Sequence, residues 1–300
     1  MGRHLATLFH GVGMDFRAIL MGLSFAIMWS SAFTSARIAV AYASPLAMLS
    51  LRFLISGLIA VIIARALGQT ARLTRKQWGI VVVFGVTQNA IYLGANFIAM
   101  QWIEASLAAV IASTLPLTVA AASWVFLGER LSKTTIFGLI AGMLGVLVIM
   151  SARLSGGADI IGVALCVIGV IALTIATLVV RGVNNSGNVL MIVGLQMLVG
   201  SAVLLPSSLL LETFHVEWTW QLIAAFTYTT LIPGLAATLI WFLLVGRIGA
   251  TRAASFHFLN PFLGVAIAAF ILSESMTLRD TLGVLVIMGG IIAVQMGRRS

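Results

Sequence analysis

The sequence predicts an all-α, polytopic membrane protein of ten transmembrane helices arranged as two inverted five-helix repeats, and three observations predict it. Hydrophobic residues fill 61% of the 300 positions and charged residues only 8%, against about a quarter charged in a soluble domain. Apolar runs of about twenty residues, the length that crosses a ~30 Å hydrocarbon layer, recur along the chain. The stretch from Ala105 to Met150 has an imperfect second copy from Ala250 to Gln295. At an offset of 145, Pro116 falls on Pro261, Glu129 on Glu274, Gly138 on Gly283 and Gly145 on Gly290. Pro and Glu carry this match, since the chain holds only five of each. A repeat half the chain long implies two similar halves, and an odd number of crossings in each turns them opposite ways.

The spans fall at 17–38, 45–66, 77–100, 105–127, 133–152, 159–181, 188–211, 219–245, 250–272 and 277–297, each bracketed by polar, Pro or Gly residues. The first is retained although Ala41-Tyr42-Ala43 imitates a signal-peptide cleavage site. At an offset of 144 it aligns with the sixth: Asp15 with Asp159, Ser30 with Thr174, Ala32 with Ala176 and Arg37 with Arg181. Residues 1–152 form the first repeat and 153–300 the second, joined in one integral bundle. The short connections leave no room for a soluble domain.

The net charge of +9 suits basic loops beside anionic lipid and gives no basic run of the kind nucleic acid requires. With the N-terminus cytoplasmic, the inner ends collect Arg3, Arg17, Arg65, Arg72, Arg75, Lys76, Arg130, Lys133, Arg181, Arg247, Arg252, Arg298 and Arg299. The outer ends hold Arg37, Arg153 and Arg279, and Arg52 lies within a span. This bias predicts both termini cytoplasmic. The single cysteine, Cys166, is read as a small packing residue.

Polar residues inside spans face a partner helix or a wet cavity, so their distribution maps the interior. Asn89, Tyr92 and Asn96 share one face of the third span with Gln88 beside it; Thr227, Thr230, Gly234, Thr238 and Trp241 share one face of the eighth. At the repeat offset Asn96 falls on Trp241 and Asn89 on Gly234. Trp29 and Ser30 from the first span and His257 and Asn260 from the ninth extend the lining. The predicted substrate-binding set is therefore Trp29, Ser30, Asn89, Tyr92, Asn96, Thr238, Trp241, His257 and Asn260. Interhelical hydrogen bonding is the plainer reading for any single hydroxyl. Pro116 and Pro261 sit mid-span and predict kinks that free the carbonyls of Ala112 and His257. Arg52 reads as a structural residue reaching toward the outer surface, with a carboxylate anchor as the other reading. Glycines of the fifth and tenth spans, Gly138, Gly142, Gly145, Gly283, Gly289 and Gly290, mark close helix packing or a dimer face, which leaves a monomer or weak dimer.

No Asp or Glu lies deep in a span, which disfavours proton-coupled carriage and small-cation drug export. No Gly-Lys-Ser phosphate loop points to ATP, no His/Cys/Glu cluster points to a metal, and no nucleophile with a base points to an enzyme. No cofactor is expected.

Two halves in which a Pro is followed by an apolar run and a Glu at the helix end (Pro116 with Gly128-Glu129-Arg130, Pro261 with Ser273-Glu274-Ser275), then a Gly-rich helix, resemble the ten-helix EamA-type exporters of the drug/metabolite transporter superfamily. Pro45 and Leu51-Arg52-Phe53 fit the same pattern. The opening segment Asp15-Phe16-Arg17 to Ser30-Ser31-Ala32-Phe33, with the Trp-containing lining, is most similar to members that export aromatic and other amino acids. The resemblance implies a bacterial inner membrane and alternating access around a central cavity. The expectation is an exporter or facilitator of amino acids, aromatic and other apolar ones included. An exporter of drugs or other small metabolites, and a non-transporting membrane scaffold, are the alternatives.

Overall fold

The structure, a computed structural model, describes residues 16–128, 131–155, 157–180, 187–248, 253, 255–275 and 277–297. Asp15, Glu129, Ala250, Arg181 and the basic residues Arg3, Arg130, Arg252, Arg298 and Arg299, which enter the repeat and orientation arguments, lie outside the described residues.

Helices follow in the order α1 (Phe16–Val40), α2 (Pro45–Ala66), α3 (Arg75–Ala99), α4 (Ala105–Ala112 continued by Leu115–Leu127), α5 (Lys133–Ser155), α6 (Ile160–Val180), α7 (Val189–Leu211), α8 (Trp220–Ile248), α9 (a 3-10 turn Ser255–Leu259 continued by Asn260–Leu272) and α10 (Leu278–Gly297). Among the described residues, seven helices are long and apolar enough to cross a membrane: α1, α2, α3, α4, α6, α7 and α8. The helices α5 and α9 add the shorter apolar stretches Lys133–Ile149 and Asn260–Leu272. This is an all-helical, multi-pass membrane protein.

Local chemistry sets the helix ends. Thr74 and Gln77 form a reciprocal capping box at the start of α3, and the Thr219 side chain accepts from the Leu222 amide at the start of α8. Interruptions before Pro116 and Pro261 fall where prolines were expected to bend their spans. The first helical piece of α4 stops at Ala112 and the second restarts at Leu115, while α9 passes from 3-10 to α geometry at Asn260. Each Pro occupies the first turn of its new helix, the position that tolerates its missing N–H. Both helices end in the left-handed conformation at equivalent positions, Gly128 with φ 65° and Ser273 with φ 55°. Glycine adopts it freely and serine under strain.

The left-handed turn at Ser273 directs Glu274 beneath the start of α4, where its carboxylate accepts the Ala105 and Ser106 amides at 2.8 and 3.0 Å. Glu212, beyond α7, does the same for Leu46 and Ala47 at the start of α2, at 2.7 and 3.0 Å. A carboxylate there satisfies amides that have no partner within their own helix and complements the positive end of its dipole.

Three pairs of helices that correspond at the repeat offset pack side by side and run in opposite directions. Along α2 and α7, Ser50 hydrogen-bonds Ser201 and Gly57 lies against Gly194. Along α4 and α9, Gly264 packs on Ala109. The pair α5 and α10 makes the most extensive packing in the bundle, with Gly138 against Gly290 and Gly145 against Gly283. Other contacts interchange in step: α1 packs on α8 and α9, and α6 on α3 and α4.

The surface reverses that of a soluble protein. Phe270 is 89% and Leu210 84% exposed, while Arg52, Asn89, Asn96, Gln196, His257 and Asn260 are buried. Five of the seven tryptophans are exposed near helix ends: Trp102, Trp218 and Trp220 at the end where α1 finishes, Trp78 and Trp124 at the end where it begins. That is the placement of an interfacial aromatic belt. Trp29 and Trp241, the other two, lie within the bundle.

A Cβ added to Gly290 would stand 2.6 Å from the Gly142 nitrogen, whereas one on Gly289 would meet nothing within 4 Å. Gly290→Ala should therefore lower the melting temperature of detergent-purified protein by several degrees. Gly289→Ala should leave it unchanged or raise it, since alanine favours a helix by about 1 kcal/mol over glycine. Loss of the carboxylate in Glu274→Gln should reduce stability by about 1 kcal/mol, read in the same melts.

Candidate functional site

Two stretches of π-helix build the interior. One is Gly85–Tyr92 within α3 and the other Thr230–Ala236 within α8, which correspond at the repeat offset of 145. A π turn widens the helix and shifts the side chains that follow, and such turns gather at functional sites. The stretch in α8 contains Pro233, which has no N–H to give the Thr229 carbonyl. In α3 the π turn carries Gln88, Asn89 and Tyr92; in α8 it carries Pro233 and Gly234.

Both π stretches face one cavity of about 30 Å³, walled also by Trp29, Ala32, Phe33 and Ala36 of α1, Arg52 and Phe53 of α2, Leu93, Asn96, Phe97 and Met100 at the end of α3, and Thr238 of α8. That space holds a water molecule or two, about a tenth of what a bound metabolite occupies. The site as it stands is too small for a metabolite. Asn89 donates from Nδ2 to the Gln196 main-chain oxygen at 2.9 Å and to the Gln196 side-chain oxygen. Asn96 donates to the Tyr92 carbonyl at 2.8 Å and accepts from the Cys166 thiol at 3.4 Å. Arg52, 4% exposed, lays its guanidinium carbon 5.1 Å from the Phe53 ring centre and 5.9 Å from that of Phe97. Its Nε and Nη1 have no hydrogen-bond partner, nor has Nε2 of Gln196.

On the side of the cavity toward the start of α1, an aromatic cluster closes the bundle. Phe25 stacks tilted on Trp241 at 4.8 Å and on Trp29 at 5.5 Å, and the His257 ring stands edge-on to all three at 5.0 to 6.2 Å. Asn260 donates to His257 Nδ1 at 2.7 Å and accepts from Ser30 Oγ at 3.4 Å. Edge-to-face rings add to burial, and the hydrogen bonds hold His257 in place.

Of the residues expected at the site, Trp29, Asn89, Tyr92, Asn96 and Thr238 reach the cavity. Ser30, Trp241, His257 and Asn260 instead form the adjoining closure, and Trp29 touches both groups. Arg52, read from the sequence either as a structural residue reaching outward or as a carboxylate anchor, points inside and walls the cavity. The signal that would have found it is its place in the repeat. At an offset of 144 Arg52 corresponds to Gln196, and at 145 Gly234 corresponds to Asn89. Gln196 meets Asn89 across one junction between the halves and Arg52 meets Gly234 across the equivalent one, where a Cβ on Gly234 would lie 3.1 Å from Arg52 Nη2.

A model of the EamA-like transporter family matches the chain twice, over residues 16–151 and 160–296. The chain belongs to the EamA-like transporter family. This EamA-like protein is 29% identical over 279 residues, 93% of its own length and 91% of the relative's, to the uncharacterized transporter YvbV of Bacillus subtilis. It is 28% identical to an uncharacterized transporter of Archaeoglobus fulgidus, covering 89% of this chain and 94% of the other. Over 95% of this chain and 94% of the other it is 26% identical to the uncharacterized inner membrane transporter YedA of Escherichia coli. A protein crystal structure, 19% identical, superposes with a TM-score of 0.70 over 95% of this chain and 99% of that one, a likeness of fold. The homologues are transporters, which supports a transporter role for this EamA-like chain and suggests that it is not an enzyme.

Truncating Asn89 to Ala would leave the Gln196 side-chain oxygen buried without its donor. Since an unsatisfied buried group costs about 1–3 kcal/mol, Asn89→Ala should lower thermal stability by that amount. The double variant with Gln196→Leu should recover part of the loss.

Proposed function

We propose that the protein is an inner-membrane exporter or facilitator of amino acids, aromatic and other apolar ones included, working by alternating access. Two inverted repeats of five crossings each, residues 1–152 and 153–300, surround the cavity, and the start of α1 faces the cytoplasm. The observation that carries this reading is the cavity within the bundle, walled at repeat-equivalent positions by the π stretches of α3 and α8. Antiparallel packing of α2 on α7, α4 on α9 and α5 on α10 supports inverted halves, as does the double match to the family. Rocking one half against the other opens such a cavity to either side in turn.

Ring faces of Trp29, Tyr92 and Phe97 suit an apolar or aromatic side chain, while Asn96 and Thr238 supply polar contacts. The cluster of Phe25, Trp29, Trp241 and His257 acts as the gate on the side where α1 begins. No carboxylate walls the cavity, which favours downhill movement of a zwitterion over proton exchange.

The test is counterflow of labelled amino acids in proteoliposomes. Uptake against an internal pool of unlabelled phenylalanine or leucine is expected, with no accompanying change of internal pH. Ala32→Leu, which fills the cavity, should lower that uptake at least tenfold with expression unchanged. Full activity in the filled variant would dismiss the cavity as the path.

A further inference from the structure

Arg52 is a buried cation with no carboxylate beside it among the described residues that wall its cavity. It lies seven residues into α2 from Pro45, about 10 Å along the helix, and is 4% exposed. Among the described residues no Asp or Glu walls the cavity it faces, and Arg52 is the only charged group that does. A buried charge ordinarily has a partner or is absent, because water's solvation has been forfeited. Two aromatic faces at 5.1 and 5.9 Å offset part of that loss, yet Nε and Nη1 are left without acceptors.

Packing does not require the charge. The corresponding place in the other half is filled by Gln196, whose main-chain and side-chain oxygens take the Asn89 amide. A neutral amide pair therefore serves the same junction of helices. Across from Arg52 the facing residue is Gly234, whose missing side chain leaves the guanidinium room against α8: a Cβ there would lie 3.1 Å from Nη2 and 3.3 Å from Nε.

We infer that Arg52 is the anion-binding residue of the cavity, and that the solute is a small monocarboxylate with an apolar body whose carboxylate docks on this guanidinium. One cation in the wall balances one carboxylate, whereas a phosphate ester near neutral pH would bring excess negative charge with nothing to meet it. Cationic and uncharged solutes would leave Arg52 bare. The inference deepens the amino-acid reading and rests on this cavity being the solute path. It also gives the solute a part in the cycle: empty closure buries a lone charge and loaded closure buries a pair, so loading favours passage through the occluded form.

Purified full-length protein is melted in detergent with L-phenylalanine, 3-phenylpropionate or L-phenylalaninamide at millimolar concentration, as wild type, Arg52→Gln and Arg52→Lys. Both carboxylates should raise the wild-type melting temperature by several degrees and the amide should not. Arg52→Gln should lose the shift while melting, without ligand, no lower than wild type; Arg52→Lys should keep a smaller shift. Equal stabilisation by the amide, no shift with either carboxylate, a shift surviving in Arg52→Gln, or a ligand-free Arg52→Gln that melts well below wild type each overturns the proposal. Stabilisation by phenylpropionate alone, abolished in Arg52→Gln, upholds the anion site and overturns the amino-acid reading. Phenylalanine counterflow undiminished in Arg52→Gln upholds the amino-acid reading and overturns the anion site.

Discussion

Hydrocarbon offers no hydrogen bonds, and the bundle is arranged around that constraint. Every amide, carbonyl and polar side chain within the membrane must find its partner inside the protein. The helical backbone meets most of this demand; what remains shapes the interior. Carboxylates of Glu212 and Glu274 take up the bare amides at the starts of α2 and α4. Serine pairs, the Asn89–Gln196 bond and the His257–Asn260–Ser30 chain absorb the side chains. Where these partnerships stop, at Arg52 and around the π stretches, a cavity begins.

Much of this was legible in the sequence, because hydropathy and repeat spacing are properties of residues taken one at a time. Apart from the start of α9, helix bounds fall within about three residues of the apolar runs, and the breaks before Pro116 and Pro261 follow from the missing N–H of proline. Glycines marked α5 and α10 for close packing or a dimer face, and the two helices pack on each other, although Gly289 stands clear of the contact. Glu274, read only as a family mark at a helix end, turns out to cap another helix, since nothing local reveals which N-terminus lies opposite.

The site was legible by residue type and less so by grouping. Which polar residues share one hollow depends on how far each helix is rotated, and the π turns change that rotation midway along α3 and α8. No residue in Gly85–Tyr92 announces a π turn, so a uniform helical spacing carries Asn89, Asn96 and Trp241 onto one imagined wall. In the structure Trp241 is drawn into the aromatic closure, and Asn89 gives its amide hydrogens to Gln196. Arg52 stayed open between two readings for a related reason: a long basic side chain near a helix end usually reaches water, and only the surrounding helices show that this one turns inward.

The unequal pairs Asn89–Gln196 and Gly234–Arg52 have a bearing on how the molecule idles. Were the two halves chemically alike, the forms open to opposite faces of the membrane would be equally populated in the absence of solute. Here one junction is neutral and saturated while the other holds an unneutralised guanidinium that gains from any exposure to water. The empty protein should linger in whichever form hydrates Arg52, giving it a preferred waiting posture and a loading side with no energy source to impose one.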